Sequence, residues 1–295
     1  MMNSRLMTYK DRQRALGFTL IELMVSVTIG LILILFLSSL YFNSNASSRL
    51  NDDNARIQED GRYALSVIGR NLMQAGYGTM QSDTTTDFPP TAYSALQGLT
   101  GCNNGFATPL TVPPTCAAGS GASAFVASYT SEPYDAVNSP ISGAGTDCSG
   151  TQAVNATSTT GGIVINSFYL DTTKGTLYCL GNANATPQAL LSNVDNMLLT
   201  YGIDTGSQYA PLQSTQDATV AGDKTTPNGN TKLGFDRVIS VNVCLEIHST
   251  NSVVPAGQTY TNCAGNSVTA ADLKLHTVMT KLFTVRNNAT ASLLN

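Results

Sequence analysis

The long aliphatic side chains of this chain are concentrated in one run, Phe18 to Phe42, broken by a single charge, Glu22. A helix over that run would reach roughly 37 Å at about 1.5 Å per residue, enough to cross a hydrocarbon core. After it, the pattern changes from continuous to periodic. Leu50, Ile57, Gly61, Ala64, Leu65, Ile68, Leu72 and Ala75 recur on one stripe, at the spacing of an amphipathic helix. Arg49, Arg56, Glu59, Arg62 and Arg70 fall off the stripe, and Asp52–Arg56 and Arg56–Asp60 are spaced as i,i+4 ion pairs. No proline occurs between Phe18 and Tyr77, and Gly76 and Gly78 are suited to end a helix. The pattern predicts one helix over 18–77, about 90 Å long if continuous. Its first part (18–42) is transmembrane and its second part amphipathic.

Residues 78–295 read as a globular head. The stretch 79–160 is rich in Gly, Pro, Ser and Thr and reads as loops with one strand at Ala124–Tyr129. From Gly162 onward, Ile163–Leu170, Thr176–Leu180, Gln188–Val194 and Met197–Ile203 are short β-type runs between turn residues. Asp171-Thr172-Thr173-Lys174-Gly175 suits a hairpin connection. In Arg237–His248 the residues Val238, Ser240, Asn242, Cys244 and Glu246 alternate with Ile239, Val241, Val243, Leu245 and Ile247. That alternation predicts a sheet with one buried face. A last run lies near Lys274–Val285, and 206–232 reads as an exposed polar insertion. The expected fold is α+β, a long N-terminal helix laid against an antiparallel β-sheet head with long loops.

Composition and charge narrow the compartment. Only 12% of the residues are charged and the formal net charge is −4. Arg5, Lys10, Arg12 and Arg14 stand before the apolar run against Asp11, so the remainder is more acidic than the whole. The cation bias puts residues 1–17 in the cytoplasm and the head outside. No cluster of cations offers a surface for displacing counterions from nucleic acid. The six cysteines, Cys102, Cys116, Cys148, Cys179, Cys244 and Cys263, all follow the apolar run and form no Cys-x-x-Cys pair. An even count in an exported, loop-rich region reads as disulfides rather than a zinc site. The pairing stays open from sequence alone, with proximity favouring Cys102–Cys116, Cys148–Cys179 and Cys244–Cys263.

The apolar run is longer than a secretory h-region, although Ser44-Asn45-Ala46 loosely resembles a cleavage site. Glu22 inside it argues against a plain signal anchor, because an ionised carboxylate at mid-membrane costs about 2.5 kcal/mol or more. The segment Gly17-Phe18-Thr19-Leu20-Ile21-Glu22-Leu23-Met24-Val25-Ser26 resembles the processing motif of type IV prepilins and pseudopilins. The resemblance implies cleavage by prepilin peptidase after Gly17, a mature N-terminus at Phe18 that becomes N-methylated, and an assembly role for Glu22. A freed α-amine has a pKa near 8 and is charged at neutral pH. Glu22, four residues on, is placed to offset that charge or the amine of a neighbouring subunit, and such a pair sets register.

Glu59-Asp60-Gly61-Arg62-Tyr63-Ala64-Leu65 and Leu72-Met73-Gln74-Ala75-Gly76-Tyr77-Gly78 resemble the PilW family of minor pilins. Phe168-Tyr169-Leu170, Gly175-Thr176-Leu177-Tyr178 and Leu199-Thr200-Tyr201-Gly202-Ile203-Asp204 resemble the heads of that family and of J-type minor pseudopilins. The resemblance implies a subunit of type IV pili, near the tip or in the complex that starts assembly. Its implied partners are other minor pilins, the major pilin and a tip adhesin, first in the inner membrane and then on the cell surface. A J-like pseudopilin of type II secretion and a pilus-borne binding module for a surface ligand are the rivals. No catalytic arrangement accompanies the two histidines, and no Ser-His-Asp order, HExxH or phosphate loop is present. His248 and His276 read as ordinary strand or edge residues. Asp217, Asp223 and Asp236 lack the alternating oxygens of a calcium loop. No metal, cofactor or enzymatic role is expected.

Overall fold

The computed structural model describes residues 17–77, 98–108, 114–133, 146–151, 161–184, 186–203, 213–216, 218–221 and 234–288. It divides into two compact units, Met1–Arg49 and Leu50–Asn295. One helix, α1 (Leu20–Gln74), contributes to both.

In the first unit, α1 starts where Thr19 can cap it. The Glu22 amide donates to Thr19 Oγ1 at 3.3 Å and the Leu23 amide to Thr19 O at 3.2 Å. Thr19 to Glu22 thus has the spacing of a capping box, with the acidic residue in the first turn. This cap leaves Phe18 outside the helix, two residues later than the start expected from hydrophobicity. Through the apolar run, hydroxyls bond to the helix itself: Ser26 to Glu22 O (2.5 Å), Thr28 to Val25 O (2.9 Å), Ser38 to Ile34 O (2.7 Å) and Ser39 to Phe36 O (2.8 Å). Polar groups satisfied within the segment are what a hydrocarbon environment requires.

In the second unit, α1 buries Ile57, Gly61, Ala64, Leu65, Ile68 and Leu72 of the expected stripe, and Asp53, Val67, Gly69 and Asn71 besides. The expected pairs Asp52–Arg56 and Arg56–Asp60 do not close, whereas Lys174 and Asp171 pair at 3.3 Å. The helix ends at Gln74 because Gly76 adopts φ +79°, the left-handed stop that glycine accepts without strain. Asn287 then donates its side-chain amide to Ala75 O (2.9 Å) and Gln74 O (3.3 Å), adding to the bonds at the carbonyls of the last turn.

The β-structure forms two antiparallel sheets rather than one. Strands β1 (Leu99–Cys102), β4 (Ala124–Pro133), β5 (Gly161–Asp171), β6 (Thr176–Gly181) and β7 (Gln188–Ser192) form the first, in the order β1-β4-β5-β6-β7. Strands β8 (Val194–Ile203), β9 (Gln213–Gln216), β10 (Val238–Ser252) and β13 (Lys274–Thr284) form the second, in the order β13-β10-β8-β9. Two small hairpins pair β2 (Phe106–Thr108) with β3 (Thr115–Cys116) and β11 (Thr259–Thr261) with β12 (Ser267–Thr269). A short helix α2 (Ala218–Ala221) and a 3-10 turn (Gly234–Arg237) complete the described elements. A single residue, Asn193 at φ +59°, links β7 to β8. One core joins α1 to both sheets through Ile68, Leu72, Phe125, Phe168, Tyr201, Leu245 and Phe283. Phe125 and Phe168 stack within it at 4.7 Å.

Three expectations are corrected. The region 79–160 carries β1, β2 and β3 as well as a strand from Ala124, because β1 pairs along β4 over Leu99–Cys102 despite its lack of alternation. The stretch 206–232 is not wholly an exposed insertion, since Ala218 and Ala221 are buried in the core; Asp217 and Asp223 lie outside the described residues. In β10 the register shifts between Val238 and Ser240, which sends Val238 into the core with Val241 and Val243. Cys244 and Glu246, on the expected solvent face, are also buried, at 5% exposure each. That face is covered from outside by the β11–β12 hairpin.

Candidate functional site

Two places carry chemistry, one in each unit. In the first unit, large apolar side chains from Phe18 to Phe42 are exposed all round, Phe18 by 83% and Leu35 by 70%. Glu22 is the one charged group among them. This is the described helix long and apolar enough to cross a membrane. A helix apolar on every side is stable only within lipid or within other protein. Gly17, Phe18 and Glu22, the residues expected from sequence to take part in processing, sit together at its start.

In the second unit, the six cysteines form three disulfides, Cys102–Cys116, Cys148–Cys179 and Cys244–Cys263, with Cα separations of 5.4, 6.2 and 5.8 Å. Two of them fasten the small hairpins. Cys116 in β3 joins the end of β1, and Phe106 of the same hairpin packs near Val126 and Ile165. Cys263, in the β11–β12 turn, joins Cys244 in the middle of β10, and its amide donates to Glu246 Oε1 at 2.9 Å. Each hairpin thereby shields the outer side of one sheet.

Under the second hairpin the two histidines of the chain meet. His248 and His276 are direct cross-strand partners on β10 and β13. His248 Nδ1 lies 2.9 Å from Asp195 Oδ1 of β8, and His276 Nδ1 lies 2.9 Å from Asp195 Oδ2. His276 Nε2 lies 3.0 Å from Asp272 Oδ1. The ring of Tyr260, on β11, stacks on His276 at 4.7 Å and 8°. Burial raises the Tyr260 phenol above its ordinary pKa, and Glu246, Asp195 and Asp272 add to the rise. Burial acts to raise the Asp272 carboxyl as well, but hydrogen bonds from His276 and the Lys274 amide outweigh it and hold that pKa low. Reading the strands separately missed this convergence. The available signal was that the two histidines stand on the two long β-type runs nearest the C-terminus, where antiparallel pairing can oppose them. Asp236, weighed for calcium, lies in the 3-10 turn, away from this group.

A groove of about 820 Å³ runs beside the end of α1, with Tyr63, Arg70, Tyr77, Tyr129, Asp147 and Arg286 among its walls. The Tyr129 phenol is raised by burial and then by the neighbouring Asp147 carboxylate. Asp147 is itself held by the amides of Ser149 (2.9 Å), Thr151 (3.1 Å) and Ala183 (3.1 Å).

Comparison with known families now bears on these places. The family model for the prokaryotic N-terminal methylation motif matches residues 12–38, and that for type IV pilus-assembly protein W matches residues 163–287. A solved type IV-like pilin from Thermus thermophilus is similar at 11% identity and a TM-score of 0.41, over 80% of this chain and 99% of that one. No curated protein matches. With its methylation motif and exposed apolar helix, the chain is a type IV pilin-like protein. Its head, from β5 to β13, is similar to the PilW family of type IV pilus-assembly proteins, a match that spans less than half of the chain. Motif and helix fit a pilin anchored in the inner membrane and then in the pilus. Such proteins are structural rather than enzymatic, and work by interacting with other pilins and the pilus machinery.

Proposed function

We propose that this chain is a minor pilin of the PilW family and acts in the assembly-initiating complex at the pilus tip. In this reading prepilin peptidase removes residues 1–17 by cutting after Gly17, and Phe18 is N-methylated. Residues 18–77 then form the assembly segment, helical over Leu20–Gln74, with 18–42 in the membrane before assembly, and 78–295 form the outward head. The partners are the major pilin and other minor pilins through the helix, together with a tip adhesin.

One observation carries the reading: an apolar surface on all sides of the helix over 18–42, with the only charge of that run, Glu22, in the first turn. Such a surface leaves lipid only by packing against equivalent helices, and a lone carboxylate among them needs a cation, which a freed α-amine supplies.

The test combines mass spectrometry of the mature N-terminus with cross-linking in membranes and sheared pili. The expected result is a chain beginning at methylated Phe18 and cross-linked mainly to other minor pilins. A chain retaining Met1 would overturn the processing step. Cross-links confined to a type II secretion system would move the protein to the J-like pseudopilins, and an even distribution along sheared pili would remove the tip assignment.

A further inference from the structure

We propose that Asp195, His248 and His276 form a binding site for one divalent transition-metal ion of the zinc class. The three donor groups come from three adjacent strands, β8, β10 and β13, and their ligand atoms lie within 4.8 Å of one another. Both imidazoles turn the same atom, Nδ1, toward the same carboxylate, each at 2.9 Å. Two donors about 2.0–2.1 Å from one ion and close to a right angle apart stand at that separation, and these are ordinary zinc–nitrogen and zinc–oxygen lengths.

The hydrogen-bond inventory points the same way. An ionised carboxylate only accepts, and a neutral imidazole has one N–H and one lone pair. His276 faces a carboxylate from both ring nitrogens, Asp195 from Nδ1 and Asp272 from Nε2. Once Nε2–H is given to Asp272, Nδ1 faces the Asp195 carboxylate either with a second ring proton or across a bound cation, and the site takes the second form when metal is present. An Nε2–H to carboxylate bond is also the usual support of a metal-bound histidine, fixing its tautomer and ring plane. Tyr260 stacks on the His276 ring and holds it from the other direction. Asp195 is exposed, so the remaining coordination positions are open to water.

Competing ligands are few. All six cysteines are in disulfides, so no thiolate draws zinc elsewhere, and the chain has no third histidine. Glu246, two residues before His248 on β10, is engaged by the Asn196 side chain (3.1 Å) and the Cys263 amide (2.9 Å).

The experiment uses the full chain in detergent, prepared without a histidine tag, stripped with chelator and titrated with zinc chloride. One zinc per chain is expected, with X-ray absorption showing imidazole nitrogens in a shell at about 2.0–2.1 Å. Asp195→Asn and His248→Ala should abolish stoichiometric binding. Asp272→Asn, which removes only the support behind His276, should weaken it about 10–100-fold. Peptide mapping of Cys244–Cys263 in each variant reports whether the hairpin still folds. Less than stoichiometric zinc on the unmodified chain, an absorption shell without imidazole, or equal binding by Asp195→Asn with its disulfide intact would each overturn the proposal.

Discussion

Asn166 donates its side-chain amide to Asn71 Oδ1 at 2.7 Å, joining α1 to β5 inside the head. Asn71 passes its own amide to Val67 O at 3.0 Å, and Asn166 Oδ1 accepts from the Cys148 amide at 2.9 Å. A buried polar chain therefore runs from the helix backbone to the Cys148–Cys179 disulfide. Truncating one member strands the others, and an unpaired buried group costs about 1–3 kcal/mol. Asn166→Leu should destabilise the head by that amount. Asn71→Leu combined with Asn166→Leu should cost less than the sum of the two single changes. Denaturant unfolding of the four proteins in detergent measures the coupling, and strict additivity would show that the two amides act independently.

Gly69 and Gly61 let α1 approach the second sheet, but what they face differs. A Cβ at Gly69 would enter the Phe283 ring, whereas one at Gly61 would meet Met279 Sδ and Ile247 Cδ1. Alanine gains about 1 kcal/mol of helix propensity at either site. Against a rigid ring, overpacking costs about 1–3 kcal/mol; a flexible methionine can move aside. Gly69→Ala should therefore lower the melting temperature while Gly61→Ala stays close to neutral. Adding Phe283→Leu should shrink the Gly69→Ala effect. A larger loss at Gly61 would reverse the assignment of the tight contact.

The Cys244–Cys263 bond ties the β11–β12 hairpin over Glu246 and the histidines. A cross-link closing a loop of this size contributes about 3 kcal/mol, chiefly through the unfolded chain. Replacing both cysteines by serine should cost about that much and speed amide exchange in β11–β12 before the rest of the head. Uniform loss of protection would instead make the hairpin inseparable from the core.

Legibility from sequence followed the range of the interactions. The apolar run and the strands from Ile163 to Ile203 depend on near neighbours, and their residues reveal them. Leu99–Cys102 becomes a strand only because β4 offers it a partner, which no local pattern announces. Glu246 looks like a solvent-facing residue until a hairpin closed by Cys263 covers it. The meeting of His248 and His276 is a matter of register between β10 and β13, set by the whole sheet.

Leu273 occupies φ +59° and is 41% exposed. A left-handed conformation costs a side chain such as leucine about 1–2 kcal/mol, and asparagine tolerates it better. Leu273→Asn should thus stabilise the head by up to about 1 kcal/mol, seen as a higher unfolding midpoint. A drop would mean that the leucine side chain makes a packing contribution larger than its backbone strain.

Glu22→Val separates insertion from assembly. The carboxylate is the only charge in the apolar run, so removing it makes the segment easier to place in lipid. The helix start should survive, because the Thr19 cap accepts from the backbone amide of residue 22 rather than from its side chain. On the proposed processing, what disappears is the partner of the freed α-amine, whether its own or a neighbour's. Leaving one charge of a buried pair uncompensated costs about 3–5 kcal/mol. Membrane abundance and cleavage after Gly17 should therefore match the unmodified protein, while recovery with sheared pili and cross-linking to other minor pilins fall. Glu22→Asp should be intermediate, since it keeps the charge with a shorter reach. Incorporation of Glu22→Val at unmodified levels would show that helix packing alone drives assembly of this subunit.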